Sequence, residues 1–561
     1  MSSITLSLAL RGRLLSGTQT TFQGALFGNS EPGFSFEPWD ITTLYQDRAG
    51  TTPVTAAGQS VGLRLDKSKG LALGAELAAP NISNALWVQL LATPLSTVAG
   101  DQLTFGGQYS GRRYEVSTTN RNSRYEFRFN ARRISGNYNI NFFHEGSATG
   151  NNTPLTLMDT VSTYVIRPQG ASAGGAVSFG FQDRNGSGFG TIEVTNLSVR
   201  ELSGNHEVAI SDAKRGIYGW MPKTGRRNML ASSEDFSAAV WNKVGGTATS
   251  NVGVAPDGTV TADRLQFSSA QTPFQSVTFI VGVTYTWSAY VKSNTGSSQD
   301  FRLGKYDGAN TASANQSATT SWQRFSYTFT AAGTTSPSVY FQTGTGGTAC
   351  DLQVWGAQLE LGSTATAYQR VVSNYDVTEA GVPSCYYVQA DGVDDAYVTP
   401  TITPNTDKVQ VFAGVRKLSD AAVASIVEYS TDANANNGAF ELRAPSGALN
   451  DVYFRVRGSV AVSGSAVAAA PTTGTVSLID DISADSAVLR VNGTQAAQST
   501  ADQGTGNFLA YPAYIYARGG TSLPFNGLDF GHAVRFGPNL DAATIARVEA
   551  LIARNTPEVT L

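Results

Sequence analysis

Cysteine, histidine and charge are all scarce in this chain, and each scarcity removes a class of architecture. Only two cysteines occur, Cys350 and Cys385, and the module boundaries set out below keep them apart. No disulfide framework is expected, and buried free thiols are the plain reading. The three histidines, His144, His206 and His532, stand far apart without ligand spacing, so no zinc site built on His and Cys is expected. Charged residues are 15% of the chain and leave a formal net charge of −4. That balance offers no general attraction to nucleic acid or to an anionic lipid surface. Long apolar runs are missing too: the opening Ile4 to Leu15 is interrupted by Arg11 and Arg13, so neither a signal peptide nor membrane insertion is expected. Long helical patterns are nearly absent.

What is abundant is the material of short strands and tight turns, with 58 glycines and many Ser and Thr. A chain of 561 residues exceeds one core and implies about three to four domains. The strongest organising signal is an internal repeat. Val194-Thr195-Asn196-Leu197-Ser198-Val199-Arg200-Glu201-Leu202-Ser203 returns as Val354-Trp355-Gly356-Ala357-Gln358-Leu359-Glu360-Leu361-Gly362-Ser363. A Trp stands ahead of each copy, Trp87 after Asn84-Ala85-Leu86 and Trp241 after Ala238-Ala239-Val240. Two anchors in register predict two β-sandwich modules in tandem.

The boundaries follow from composition and alternation. Residues 1–70, with Pro32, Gly33 and Pro38, read as an irregular lead-in suited to docking. Residues 71–204 form the first sandwich, where Tyr125, Phe127 and Phe129 share one face of a strand. Residues 205–227 read as a connector and 228–372 as the second sandwich. There Tyr285, Trp287, Ala289 and Val291 make an apolar stripe while Tyr290 points the other way. Residues 373–382 read as a linker. Residues 383–561 form a third all-β module, with alternation from Val409 to Val415 and a hairpin turn at Asn492-Gly493. A short terminal helix follows, capped by Asp541, with Ile545, Val548 and Ile552 on one side. The fold class is therefore all-β: tandem antiparallel sandwiches and a short C-terminal helix.

Several stretches resemble known proteins. Asn228-Met229-Leu230-Ala231-Ser232-Ser233-Glu234-Asp235-Phe236 with Trp241, then Trp322-Gln323-Arg324 and Trp355-Gly356-Ala357-Gln358-Leu359-Glu360, resemble jelly-roll modules of bacteriophage and prophage virion proteins. Those modules are similar to carbohydrate-binding modules. Ala390-Asp391-Gly392-Val393-Asp394-Asp395-Ala396-Tyr397-Val398, the Asn492-Gly493 hairpin and the terminal helix resemble a laminin-G-like, concanavalin-type sandwich. Leu44-Tyr45-Gln46-Asp47-Arg48-Ala49-Gly50-Thr51-Thr52-Pro53-Val54 resembles a phrase common in such phage proteins. The resemblance implies a virion component, made in the host cytoplasm without a signal peptide. It would be a tail fibre or baseplate accessory that binds host surface polysaccharide or lipopolysaccharide during adsorption. The implied partners are other virion proteins, met through the N-terminal region, and further copies in a homotrimer or higher ring. The rival readings are a non-binding head fibre, capsid decoration or spacer, and a polysaccharide depolymerase.

Sugar recognition needs a flat aromatic ring and polar partners for hydroxyls. The candidates are Tyr290, Trp322, Tyr340 and Trp355 in the second sandwich, and Asp394, Asp395, Arg443 and Arg518 at a polar end of the third. Core packing is the competing reading for the aromatics and turn chemistry for the Asp pair. Arg112, Arg113, Arg124, Arg128, Arg132 and Arg133 crowd the first sandwich, with Arg121 between. Their strand places the aromatics on the opposite face, which argues against nucleic acid and for pairing with an acidic neighbouring subunit. No strand-to-helix nucleophile elbow of the hydrolase type, no phosphate loop and no zincin helix is expected. Glu441 with Asp451, or Asp480 with Asp481, have nothing to mark them as a catalytic pair, so no catalysis and no cofactor are expected.

Overall fold

The computed structural model describes every residue except 1–21, 78–81, 84–86, 90–95, 107–109, 117–122, 137–138, 146–150, 169–176, 184–189 and 269–272. Arg121, residues 84–86 and the apolar opening lie outside the described residues, as does the side chain of His144. The protein is all-β, with antiparallel sheets paired into sandwiches and a C-terminal helix at Ala542–Asn555.

The repeat read from the sequence is a repeat of topology. In the first module one sheet runs Ser162–Ile166, Arg124–Ser135, Thr191–Leu202, Gln102–Thr104, Thr97–Ala99. The second module repeats that order with Gln323–Thr330, Thr284–Ser293, Cys350–Leu361, Ala262–Phe267, Gly246–Gly253. The facing sheets also match in order, and each begins on its Trp, at Trp87–Gln89 and Trp241–Asn242. Both tryptophans are buried. Even an irregularity is copied. Inward-facing Ile192 and Val194 give way to Leu197 and Val199, as Leu352 and Val354 give way to Ala357 and Leu359. The extra residue in each copy takes a left-handed conformation, Asn196 at φ 52° and Gly356 at φ 67°, which Asn and Gly tolerate best.

The third sandwich is assembled from three separate pieces of chain. Its eight-stranded sheet orders Ile217–Pro222, Ser384–Asp391, Asn526–Phe536, Lys408–Lys417, Thr472–Asp481, Ser486–Val491 and Thr494–Ser499, and Gly33–Phe36 also pairs with Asn526–Phe536. Its nine-stranded sheet begins Leu44–Tyr45, Leu63–Arg64, Glu207–Ala209, Tyr397–Val398 and ends Asp451–Arg457, Ala461–Val467. Residues expected as an irregular docking arm and as a connector therefore supply strands to the sandwich expected at 383–561. Phe34, Phe36, Leu44, Val61 and Tyr218 join one core with Val411, Leu478 and Val534. Apolar burial drives this long-range pairing, each such side chain being worth about 1.5–3 kcal/mol.

The other two modules are thus insertions in a frame. Their stalks close tightly. The Asn205 amide donates to Asp66 Oδ2 at 2.7 Å across the base of the first, and the Lys223 amide to the Pro383 carbonyl at 2.8 Å across the second. A buried polar group locks the three frame pieces together. Arg64 Nη2 pairs with Glu207 Oε2 at 2.5 Å, and His532 bridges Glu207 at 2.6 Å and Asp529 at 2.8 Å. The Tyr516 hydroxyl donates to Asp529 at 2.7 Å, and the Arg64 guanidinium lies 3.8 Å from the Tyr397 ring centroid. Burial alone would lower the His532 pKa, but Glu207 and Asp529 outweigh it and hold the ring charged up to about 9.

The terminal helix lies over the eight-stranded sheet as its spacing predicts. Asp541 caps it by accepting from the Thr544 amide at 2.7 Å, and Val548 and Ile552 pack on Phe412, Ala533, Phe22 and Leu26. The Asn492-Gly493 turn is present with both residues at positive φ. Among the described residues no helix is long and apolar enough to cross a membrane.

Candidate functional site

The outer face of the second module's 350–361 sheet carries two rows of outward side chains. Cross-strand register sets Arg324, Tyr290 and Trp355 side by side, and Lys292, Gln353 and Arg264 beside them. Trp322, one residue ahead of its strand, lies under Lys292, whose ammonium is 4.9 Å from the ring centroid. Tyr368, from the segment after the last strand, closes the group with its ring 4.4 Å from Trp355. Tyr290 and Trp355 are 5.5 Å apart and tilted by 60°.

Each ring is fixed in place. Trp355 Nε1 donates to Thr261 Oγ1 at 2.9 Å and Trp322 Nε1 to the Val254 carbonyl at 2.9 Å. The Tyr368 hydroxyl donates to Glu234 Oε1 at 3.1 Å, and burial with the Glu234 charge holds it far above the usual phenol range. Arg324 lies 5.4 Å over Tyr290 and is tied to Ser288 at 3.0 Å. Trp355 is buried, whereas Tyr290, Trp322 and Tyr368 are half-buried and keep solvent-facing area. The end of the Gly246–Gly253 strand adds exposed Val252, and the loop after it Val254 and Val260. The result is an aromatic and apolar surface edged by Lys292 and Gln353, which suits the hydrophobic face of a ring bearing hydroxyls. Among its described residues the first module has no such group. Asn130, Thr163 and Thr195 stand where the second has Tyr290, Arg324 and Trp355, with Thr163 donating to Asn130 at 2.8 Å.

The other sequence candidates sit elsewhere. Tyr340 lies in the facing sheet across from Gly304, where a Cβ would come within 2.2 Å of its ring. At 1% exposure, with burial pushing its phenol up to about 12, it offers no open ring face. Arg443 and Arg518 lie in the frame, paired internally with glutamates that sequence reasoning missed as their partners. Arg518 bonds Glu428 at 2.9 Å and Glu441 at 2.8 Å, and Arg443 also bonds Glu441. Both glutamates are fully buried as a cross-strand pair, and burial together with the Glu441 charge raises Glu428 to about 7. Asp394 and Asp395 belong to a turn in which Asp391 accepts from the Val393 amide at 2.8 Å and Asp395 from the Asp391 amide at 3.0 Å. Burial and the neighbouring Asp391 push Asp395 up to about 6.

Most of the arginines set down for an inter-subunit surface have partners within the chain. Arg112 donates to the Trp87 carbonyl at 3.2 Å, with Arg113 half-buried beside it. Arg124 is buried against the carbonyls of Arg48 and Arg167, so it seats the first module on the frame; burial, Arg48 and Arg167 lower it to about 9. Arg132 pairs with Glu193 and Arg133 with Asp159 at 2.8 Å. Arg128 is the exposed one of the set, its side chain 55% accessible and 3.5 Å from Glu126.

No protein-family model matches the chain, and no curated protein matches it. Solved structures overlap it in part. The tandem CBM22-1–CBM22-2 domain of Paenibacillus barcinonensis Xyn10C is 11% identical, covering 52% of this chain and 99% of that one with a TM-score of 0.24. Ruminococcus gnavus IT-sialidase CBM40 is 20% identical over 26% of this chain and 84% of that one, with a TM-score of 0.22. The receptor-binding domain of botulinum neurotoxin type G is 9% identical over 30% and 43%, with a TM-score of 0.24. Overlaps this partial assign no function.

Proposed function

We propose that this protein binds carbohydrate through the outer aromatic face of its second module, and that it does so as a virion component contacting host surface polysaccharide. The observation that carries the binding half is the ring group Tyr290, Trp322, Trp355 and Tyr368 of the second sandwich, where the duplicated first sandwich has Asn130 in place of Tyr290 and Thr195 in place of Trp355. Aromatics placed outward at matched positions that are polar in the other copy, among the described residues, support a use for them beyond core packing. The virion half rests on the sequence resemblance. A single such surface binds sugars weakly, and several copies on one particle convert weak sites into firm attachment.

The test is binding of labelled full-length protein to candidate host bacteria, with and without periodate treatment, beside purified surface polysaccharide. Trp322→Ala removes a half-buried ring and is expected to weaken binding about tenfold, roughly 1.5 kcal/mol, without altering the melting profile. Binding that survives both periodate and Trp322→Ala would discard this face as the glycan contact. A folded protein that binds no glycan and no cell would favour the rigid-spacer reading.

A further inference from the structure

The nine-stranded frame sheet ends on Ala461–Val467, which pairs with Asp451–Arg457 on one side and, among the described residues, with no strand on the other. An open edge presents a row of unmatched N–H and C=O groups, and proteins usually guard it with Lys, Pro, a bulge or a covering segment. The opposite edges of the frame are guarded: Leu44–Tyr45 is short and bridged by Pro53, and Ile217–Pro222 is bridged by Ser60 and Asp376. Among the described residues the Ala461–Val467 edge is covered at its start alone, where the Val460 amide donates to the Gln503 carbonyl at 2.9 Å. Residues 458–470 contain no charge and no proline, and the register to Asp451–Arg457 runs without a bulge. Val467 is 90% exposed, with Val460 and Leu449 exposed nearby. The neighbouring edge of the other frame sheet, Thr494–Ser499, is uncharged as well and lies alongside, since a Cβ on Gly464 would sit 3.6 Å from Ala497.

The order of residues in this strand matches itself. Ala-Val-Ser-Gly-Ser-Ala-Val, laid antiparallel on its own copy about Gly464, sets Ala461 against Val467, Val462 against Ala466 and Ser463 against Ser465. Small meets large at each apolar pair and hydroxyl meets hydroxyl near the centre, the pairing that stabilises adjacent strands. A two-fold axis normal to the sheet keeps every residue on its own face, so the Val and Ser pairs meet in consistent orientation. No charge on the edge repels its copy.

We propose that Ala461–Val467 is a pairing surface for a second copy of this chain, joined edge to edge about a two-fold axis at Gly464. One strand edge covers less than the ~1,200 Å² of a stable interface, so the dimer is weak and forms as concentration rises. Sedimentation of the full chain across the micromolar range is expected to show a monomer–dimer equilibrium. The exposed double variant Ser463→Lys, Ser465→Lys is expected to sediment as a monomer with unchanged circular dichroism and melting. Register is read by mixing Ser463→Cys protein with Ser465→Cys protein under oxidation. The mixture is expected to yield cross-linked dimer and neither variant alone, Cys350 and Cys385 being buried. A chain that stays monomeric throughout, a dimer that persists in the Lys variant, or equal cross-linking by one variant alone would each overturn the proposal.

Discussion

Residues 383–561 expressed alone should fail to fold, whereas a chain joining 22–66, 205–223 and 383–561 by short glycine turns should fold without either inserted module. The isolated piece loses Phe34, Phe36, Leu44, Val61 and Tyr218 from its core. At about 1.5–3 kcal/mol for each buried side chain, the loss is roughly 7–15 kcal/mol as an upper bound. That equals the whole stability of an ordinary domain, about 5–15 kcal/mol. It also strips Arg64 and Glu207 from His532 and Asp529, and breaking a buried ion pair costs about 3–5 kcal/mol. The joined frame keeps all of these groups, and its turns are short because each stalk is already closed by a hydrogen bond at its base. Urea unfolding followed by circular dichroism, since 383–561 contains no tryptophan, separates the outcomes. A cooperative transition in 383–561 alone, at a midpoint near that of the joined frame, would refute the three-piece account.

Two further outcomes follow from local chemistry. The folded-state pKa of His532 is raised from 6.5 to about 9, so its contribution is fully present below pH 6.5 and disappears as pH rises through 9. The wild-type melting temperature should fall between pH 7 and 10, by up to about 3 kcal/mol of stability, and His532→Gln should remove most of that slope; equal slopes in both would dismiss the imidazolium as a frame lock. Gly356→Ala should cost about 1–2 kcal/mol for its left-handed backbone and displace the ring group, since the new Cβ would lie 3.1 Å from Tyr290 and 3.3 Å from Tyr368. Gly356→Asn should be milder in backbone cost, because Asn196 holds the matching place in the first module; calorimetry that ranks Asn below Ala would contradict this.

The duplication was legible because its signal lies in long strands: both copies of the final strand carry the inward pairs and the bulge within a single stretch of sequence. The frame was not legible for the opposite reason. Leu44–Tyr45, Leu63–Arg64 and Glu207–Ala209 are too short to show a period of two, and the strand that meets Glu207–Ala209 from the far side is Tyr397–Val398, beyond an entire inserted module. The candidate site divides along the same line. Outward Tyr290 follows from alternation with Trp287 and Ala289, and Lys292, two residues on, carries the same signal. Tyr368 lies outside any regular strand and had none. Tyr340 obeys alternation as well as Tyr290 does, yet its ring is covered because Gly304, on a neighbouring strand, leaves room for it. Parity states which face a side chain takes; whether that face is open depends on residues distant in sequence. A subtler signal did exist for Arg443 and Arg518: a lone Glu within each of the apolar strands Ser425–Tyr429 and Ala439–Arg443. A carboxylate there must find a cation or stay protonated, and that demand explains the two arginines without a sugar.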